Sequence, residues 1–319
     1  MASLQKAQSA LSDIPLPVRD LEHGKRNMDE YGYTIHENFI TPDEVIALRE
    51  RLIEQAELEV EHGVAILEDR SSFGFDPILG AEQAPKILPV QDLVFLVNKG
   101  RVFIELANSP LARAYLQHIF RGCDFQVSAQ VGMVIRKGAK LMNVHSDQNS
   151  FPFNTPIPNA VNIMVCLSDF DENMGATRLV PKSHLLAPPK IVPHPNGGVY
   201  NPEPIETVPA VTGPGSAIIF ESRTWHCSGA STSDKIRYSI SNSYAHEHIK
   251  PIDTHSSIVH DDVYASMSEQ ERELYGFREG HGFVGRLGPR YLGDKRHNTN
   301  TKFPFVPELH RGKKAEVGW

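Results

Sequence analysis

The sequence predicts a mainly β protein with flanking helices, and three observations carry that prediction. Short β-like runs separated by Gly, Pro and Asn fill the chain from about Phe125 onward. Two well-capped helical stretches precede them. The 319 residues, 40% of them hydrophobic, are enough to bury one sizeable core. A single domain over residues 1–319 is expected, with a loose N-terminal tail over about 1–20 and a helical and loop extension over about 250–319.

The elements follow in order. The opening MASLQKAQSALSDIPLPVRD has prolines at 15 and 17 and no apolar stretch behind a basic start, so it reads as tail rather than leader. YGYTIHENFI reads as a strand. Thr41-Pro42-Asp43-Glu44 then supplies an N-cap, a proline at the first helical position and a glutamate placed to close a capping box. Val45, Leu48, Leu52 and Ala56 repeat at helical spacing behind it, to about Glu61. Ser109-Pro110 signals a second helix, with Leu111, Tyr115, Leu116 and Ile119 on one face.

The β core is expected in FQVSAQVGMVIR, AVNIMVCLSDF, TRLVPKSH, SAIIFES and KIRYSISNSYA. In VNIMVCL, Val161, Ile163, Val165 and Leu167 share one face, and Asn162, Met164 and Cys166 the other. In IRYSISNS, Ile236, Tyr238 and Ile240 alternate with Arg237, Ser239 and Ser241. A strand with a polar inner face lines a cavity rather than a dry core. Beyond Lys250 come a helical stretch, DDVYASMSEQERELYGF, and a Gly- and Arg-rich one, GHGFVGRLGPRYLGDKRH. These are expected to cover the β core or to form a homodimer contact.

Charge and cysteine content narrow the function classes. A net charge of −7, with 32 basic and 39 acidic residues intermixed, leaves no basic stripe for a phosphate backbone, so no nucleic-acid partner is expected. No run of about 18 apolar residues marks a spanning helix, and no membrane insertion is expected. Three cysteines at irregular spacing (Cys123, Cys166, Cys227) do not make a disulfide framework, which points to a reducing, cytoplasmic setting.

The chemistry lies in four residues. His145-Ser146-Asp147 places an imidazole and a carboxylate two residues apart at an expected strand end, where both can converge on one ion. An H-x-D tripeptide by itself is more often a loop than a ligand pair. Its weight comes from order: His226 follows a later apolar strand, AIIF, and a basic residue follows on the next strand. Two histidines and one carboxylate on one face of an octahedral ion leave three positions open, the arrangement of non-haem Fe(II) oxygenases. Arg237, on the strand with the polar face, is suited to bidentate pairing with a carboxylate. With Ser239 it makes an R-x-S pair fit for the distal carboxylate of 2-oxoglutarate, and Thr177 can add a hydroxyl. Gln130 and Asn162 are polar residues on otherwise apolar strands; each is a candidate for the cofactor cavity or a satisfied core amide.

These residues resemble the phytanoyl-CoA dioxygenase-like (PhyH) family of Fe(II)/2-oxoglutarate oxygenases. The resemblance runs from DEYGYTIHENFITPDEVIALRERL through NVHSDQ and VNIMVCLSDFDENMGATRLVPKSH to GPGSAIIFESRTWHCSGASTSDKIRYSIS. It implies a double-stranded β-helix, the cupin-like jelly roll, with helices on its major sheet. It also implies one Fe(II) on His145, Asp147 and His226, with 2-oxoglutarate and O2 as cosubstrates and Arg237 as anchor. The implied reaction is oxidation of an unactivated C–H of a small molecule, a secondary-metabolite intermediate or an acyl thioester, with release of succinate and CO2. Halogenating relatives replace the carboxylate ligand with a small residue, so Asp147 favours hydroxylation, desaturation or ring formation. Two rival readings are a jelly-roll isomerase or hydrolase using another metal, and a non-catalytic binding relative. The intact ligand set and Arg237 argue against both.

Other residues receive structural expectations. His246 and His248 follow the last core strand and are read as surface or structural, and Cys227 as packing, since strand neighbours point to opposite faces. His184, in PKSH, is expected to serve its turn through a hydrogen bond, as the resemblance also suggests. Phe73, Phe75, Phe151 and Phe153 are candidates for gripping an apolar substrate at the cavity mouth.

Overall fold

Alternation in the long β-like runs converts directly into a sheet with one face for helices and one for a cavity. The computed structural model describes residues 13–70, 88–150, 155–193 and 199–277. Strands β1 (Tyr33–His36), β2 (Ile66–Glu68), β3 (Val90–Leu93), β4 (Phe125–Ile135), β5 (Ala160–Cys166), β6 (Thr177–Leu179), β7 (Val192–Pro193), β8 (Val199–Tyr200), β9 (Val208–Pro209), β10 (Ala217–Glu221), β11 (His226–Ser228) and β12 (Arg237–His246) follow in chain order. Seven of them form a large antiparallel sheet in the order β1-β10-β5-β12-β4-β3-β2, and three form a small one, β11-β6-β9.

The register fixes the two faces of the large sheet. Ser239 lies opposite Cys166 on one side and Met133 on the other, whereas Asn242 lies opposite Ile163 and Gln130. Cross-strand partners share a face. The first set therefore looks toward the small sheet, and Tyr33, Ile35, Met164, Cys166, Phe170, Ala176, Leu179, Ala210, Ile218 and Phe220 close an apolar layer between the two.

Helices cover the opposite face. They are α1 (Leu21–Tyr31), α2 (Pro42–Glu61), α3 (Arg101–Ala107) and α4 (Pro110–Ile119). The box at Thr41 and Glu44 caps α2 as expected, and Ser109 caps α4 with Pro110 behind it. Polar sheet residues tie the layer down: Gln91 Nε2 donates to Ala56 O at 2.9 Å, Tyr244 Oη to Ala107 O at 2.8 Å, and His36 Nδ1 meets Tyr115 Oη at 2.8 Å. Helices α1 and α3 were not evident from the sequence. Among the residues α1 buries are Gly24 and Asn27, so its inner face lacks the apolar period that betrays α2.

The chain divides into two units, Met1–Asp253 and Thr254–Trp319. The second unit's described part holds three short helices, α5 (His255–Ile258), α6 (Asp261–Ser266) and α7 (Glu269–Leu274), with His255 edge-on to Tyr275 at 5.1 Å. The Gly- and Arg-rich segment lies outside the described residues, as do Phe73, Phe75, Phe151 and Phe153. No described helix is long and apolar enough to cross a membrane.

Candidate metal centre and cosubstrate pocket

The three expected ligands converge. His226 opens β11, and His145 sits beside it through a single antiparallel bridge in which each backbone N–H donates to the other's carbonyl, at 3.0 and 2.8 Å. The H-x-D run is thus not the end of a full strand, as its sequence suggests. His145 makes that one bridge, and Asp147 starts a short 3-10 turn, Asp147–Ser150. The tight turn suits the site, because it swings the carboxylate back onto the imidazoles. Asp147 Oδ1 lies 3.6 Å from Nε2 of His145 and 3.6 Å from Nε2 of His226, and one ligand atom from each residue falls within 4.8 Å of the others.

Both rings are oriented for ligation. Nδ1 of His145 lies 3.0 Å from Asn143 O, and Nδ1 of His226 lies 2.9 Å from Thr224 O. A carbonyl only accepts, so each Nδ1 carries the proton and each Nε2 keeps a lone pair for a metal. Burial, reinforced by neighbouring His226 and opposed by Asp147, pulls the His145 pKa down to about 4. His145 is consequently a neutral donor near pH 7.

The turn is pinned from behind. Gln148 N and Ser146 Oγ both donate to Ser222 O, at 2.9 and 3.0 Å, and Ser222 Oγ donates to Gln148 Oε1 at 2.9 Å. Asn162, on β5 between β10 and β12, donates from Nδ2 to Asp147 Oδ2 at 2.5 Å. It faces the cavity, as its strand position allowed, and its observed partner there is the metal-binding carboxylate.

A second polar focus lies at the start of β12. Arg237 is 1% exposed, its guanidinium 4.6 Å over the Phe170 ring, and it donates from one Nη to Gly175 O. It makes no ion pair among the described residues, and its Nε is buried without a hydrogen-bond partner, as is Ser239 Oγ on the same face of the strand. Burial lowers the Arg237 pKa to about 9, helped by the nearby Arg70 cation. A buried cation with an unpartnered Nε and a buried hydroxyl without a partner fit an incoming carboxylate. The donor set thus suits Fe(II) at the triad and a dicarboxylate such as 2-oxoglutarate reaching to Arg237.

Two remaining candidates diverge. Thr177 is buried between the sheets, its hydroxyl 3.1 Å from Met164 Sδ. Gln130 does not reach the cavity. Its register partner Asn242 lies on the helix side, and its amide donates to Phe103 O at 3.0 Å and Asn242 Oδ1 at 2.8 Å, making it a satisfied core amide. Cys227 packs with Val144, Val180 and Trp225. His246 and His248 meet each other at 3.2 Å in an exposed pair. His184 is buried beside Arg223 and the backbone of Asp29 and Tyr31, at the end of α1.

Three contributors were not singled out from sequence. Phe170 lies under Arg237, the Gly175 carbonyl accepts from it, and Ser228 Oγ is buried without a partner two residues beyond His226. An H-x-S pattern on one strand face could have signalled Ser228. The other two depend on a loop path.

Comparison with known proteins shows the family. The family model described as phytanoyl-CoA dioxygenase (PhyH) matches residues 28–239, which include all three ligands and Arg237. The dioxygenase trt7 of Aspergillus terreus is 25% identical over 272 residues, covering 82% of this chain and 86% of that one. Among solved structures, the epimerase SnoN, determined with Fe3+, alpha-ketoglutarate and nogalamycin RO, superposes with a TM-score of 0.54 at 18% identity, covering 78% of this chain and 92% of that one. The alpha-ketoglutarate-dependent carbocyclase SnoK from nogalamycin biosynthesis gives 0.53 at 20% identity, covering 75% and 90%. These likenesses support the jelly-roll fold. The chain belongs to the phytanoyl-CoA dioxygenase (PhyH) family, and it is an oxidoreductase of the iron- and 2-oxoglutarate-dependent kind.

Proposed function

We propose that this chain oxidises an unactivated C–H of a small organic molecule, by hydroxylation, desaturation or a ring-forming rearrangement. Fe(II) would be held by His145, Asp147 and His226, with Arg237, Ser239 and Thr177 receiving 2-oxoglutarate. When bound, the iron would let O2 act as the oxidant, two of its four oxidising equivalents going to 2-oxoglutarate, which leaves as succinate and CO2, and two to the substrate C–H. The protein's own part is to hold the ligands oriented, to neutralise the cosubstrate's distal carboxylate, and to keep water from the reacting C–H.

Arg237 is the observation that carries the reading. A buried guanidinium that has no counter-ion among the described residues is costly to keep, and a dicarboxylate cosubstrate would give it a partner. Retention of Asp147 favours these oxidations over halogenation. A secondary-metabolite intermediate is favoured as substrate over an acyl thioester by the names of the similar enzymes, two of which act in nogalamycin biosynthesis. A homodimer through the residues beyond about 250 remains part of the proposal.

The test is anaerobic addition of Fe(II) and 2-oxoglutarate, followed by O2. A weak visible charge-transfer band, then succinate formation, is expected in the native chain, with both lost in Asp147→Ala. Full succinate formation by Asp147→Ala would sink the ligand assignment.

A further inference from the structure

Asp147 offers two oxygens, and the structure divides them. Oδ1 is the one near both histidine Nε2 atoms, at 3.6 Å from each. Oδ2 accepts from Asn162 Nδ2 at 2.5 Å. Only the NH2 end of an amide can donate to a carboxylate, so the acceptor fixes which way Asn162 points. The bond is charge-assisted and short.

Asn162 is well placed to hold an orientation. Its strand, β5, lies between β10 and β12, with Asn162 opposite Phe220 on one side and Ser243 on the other. The side chain is buried, and its backbone is fixed by two neighbours. The backbone around Asp147 is pinned by the Ser146, Gln148 and Ser222 hydrogen bonds. Asn162 acts on the carboxylate itself, where its hydrogen bond to Oδ2 restrains rotation.

We propose that Asn162 is a positioning residue that keeps Asp147 a one-oxygen ligand. The inference rests on the iron and 2-oxoglutarate chemistry proposed above. A dication attracts both carboxylate oxygens, and a chelating Asp147 would fill a fourth of the six octahedral positions. Two would remain, enough for the 2-oxoglutarate chelate and none for O2. By occupying Oδ2, the Asn162 amide preserves the third open position, so its contribution is to coordination number rather than to cosubstrate binding.

The experiment counts metal-bound waters in the full chain loaded with Mn(II), by water-proton relaxation, in the native protein, in Asn162→Leu, which removes the donor at similar volume, and in Asn162→Ser, too short to reach Oδ2. Circular dichroism and thermal melting establish which variants fold, and the serine variant carries the test where the leucine variant does not. About three exchangeable waters are expected in the native chain and about two in the variants, a fall of roughly a third. Addition of 2-oxoglutarate is expected to leave about one water in the native protein and none in the variants. An unchanged water count in the folded variants, or a count of about two in the native chain, would overturn the proposal. If 2-oxoglutarate displaces no water from the native chain, the cosubstrate reading fails instead, and the metal-only comparison still decides the role of Asn162.

Discussion

At the scale of residues, the site is built on groups that are costly to bury until a ligand arrives. Arg237 has one carbonyl acceptor, an aromatic face beneath it and an unpartnered Nε, and its proton affinity is already reduced by burial. Removing an unpaired buried charge relieves a desolvation penalty. Arg237→Met is therefore expected to melt at the same or a higher temperature than the native chain without cosubstrate. Its KM for 2-oxoglutarate should nonetheless rise on the order of 10²-fold or more. Melting curves with and without 2-oxoglutarate check both halves: the native protein gains stability on addition and the variant does not. The metal ligands and Arg237 were legible in the sequence because their order along the chain is specific. Gln130 and Asn162 were not separable there, since each is an amide on an apolar strand. Register alone sends one to the helices and the other to Asp147.

At the scale of elements, the helix layer depends on close approach to the large sheet. Gly132, in the middle of β4, lets Leu52 of α2 rest on the strand, and an added Cβ would come within 2.3 Å of Leu52 Cδ1. Leu52 is fully buried, so it has little space to retreat. Gly132→Ala is expected to destabilise the protein by about 1–3 kcal/mol through overpacking, read as a lower urea midpoint, with partial recovery in Gly132→Ala combined with Leu52→Val. Helix α2 was evident from its capping box and apolar period, β5 and β12 from alternation, and β4 and β10 as short β-like runs between turn residues. The small sheet was harder to place. Its strands β6, β9 and β11 have three, two and three residues, too few to show a period of two.

At the scale of the whole molecule, buried ionisable groups make stability depend on pH. Burial, with the Arg223 cation next in effect, lowers the His184 pKa from 6.5 to about 4. The unfolded chain takes up a proton at this position below about pH 6.5, and the folded chain not until about pH 4. Between those values the unfolded state binds more protons, so the stability contributed by His184 is complete above about 6.5 and is lost as pH falls. Chemical unfolding across this window is expected to show His184→Gln losing less stability on acidification than the native chain, by roughly 2–3 kcal/mol. Equal slopes would mean that His184 stays protonated in the fold.

The sequence by itself determined the β core and the two strongly capped helices, and it singled out the four residues read as metal ligands and anchor. Each of these depends on local spacing or on residue type, which survive without coordinates. Tertiary structure decided the rest. It turned His145 into a single-bridge partner of His226, swung Asp147 inward on a 3-10 turn, and gave Asn162 the second carboxylate oxygen. It also sent Gln130 to the helix face and brought Phe170 beneath Arg237. Those outcomes depend on strand register and loop path, which bring together residues far apart in the chain, and neither quantity is encoded in the period of a single segment.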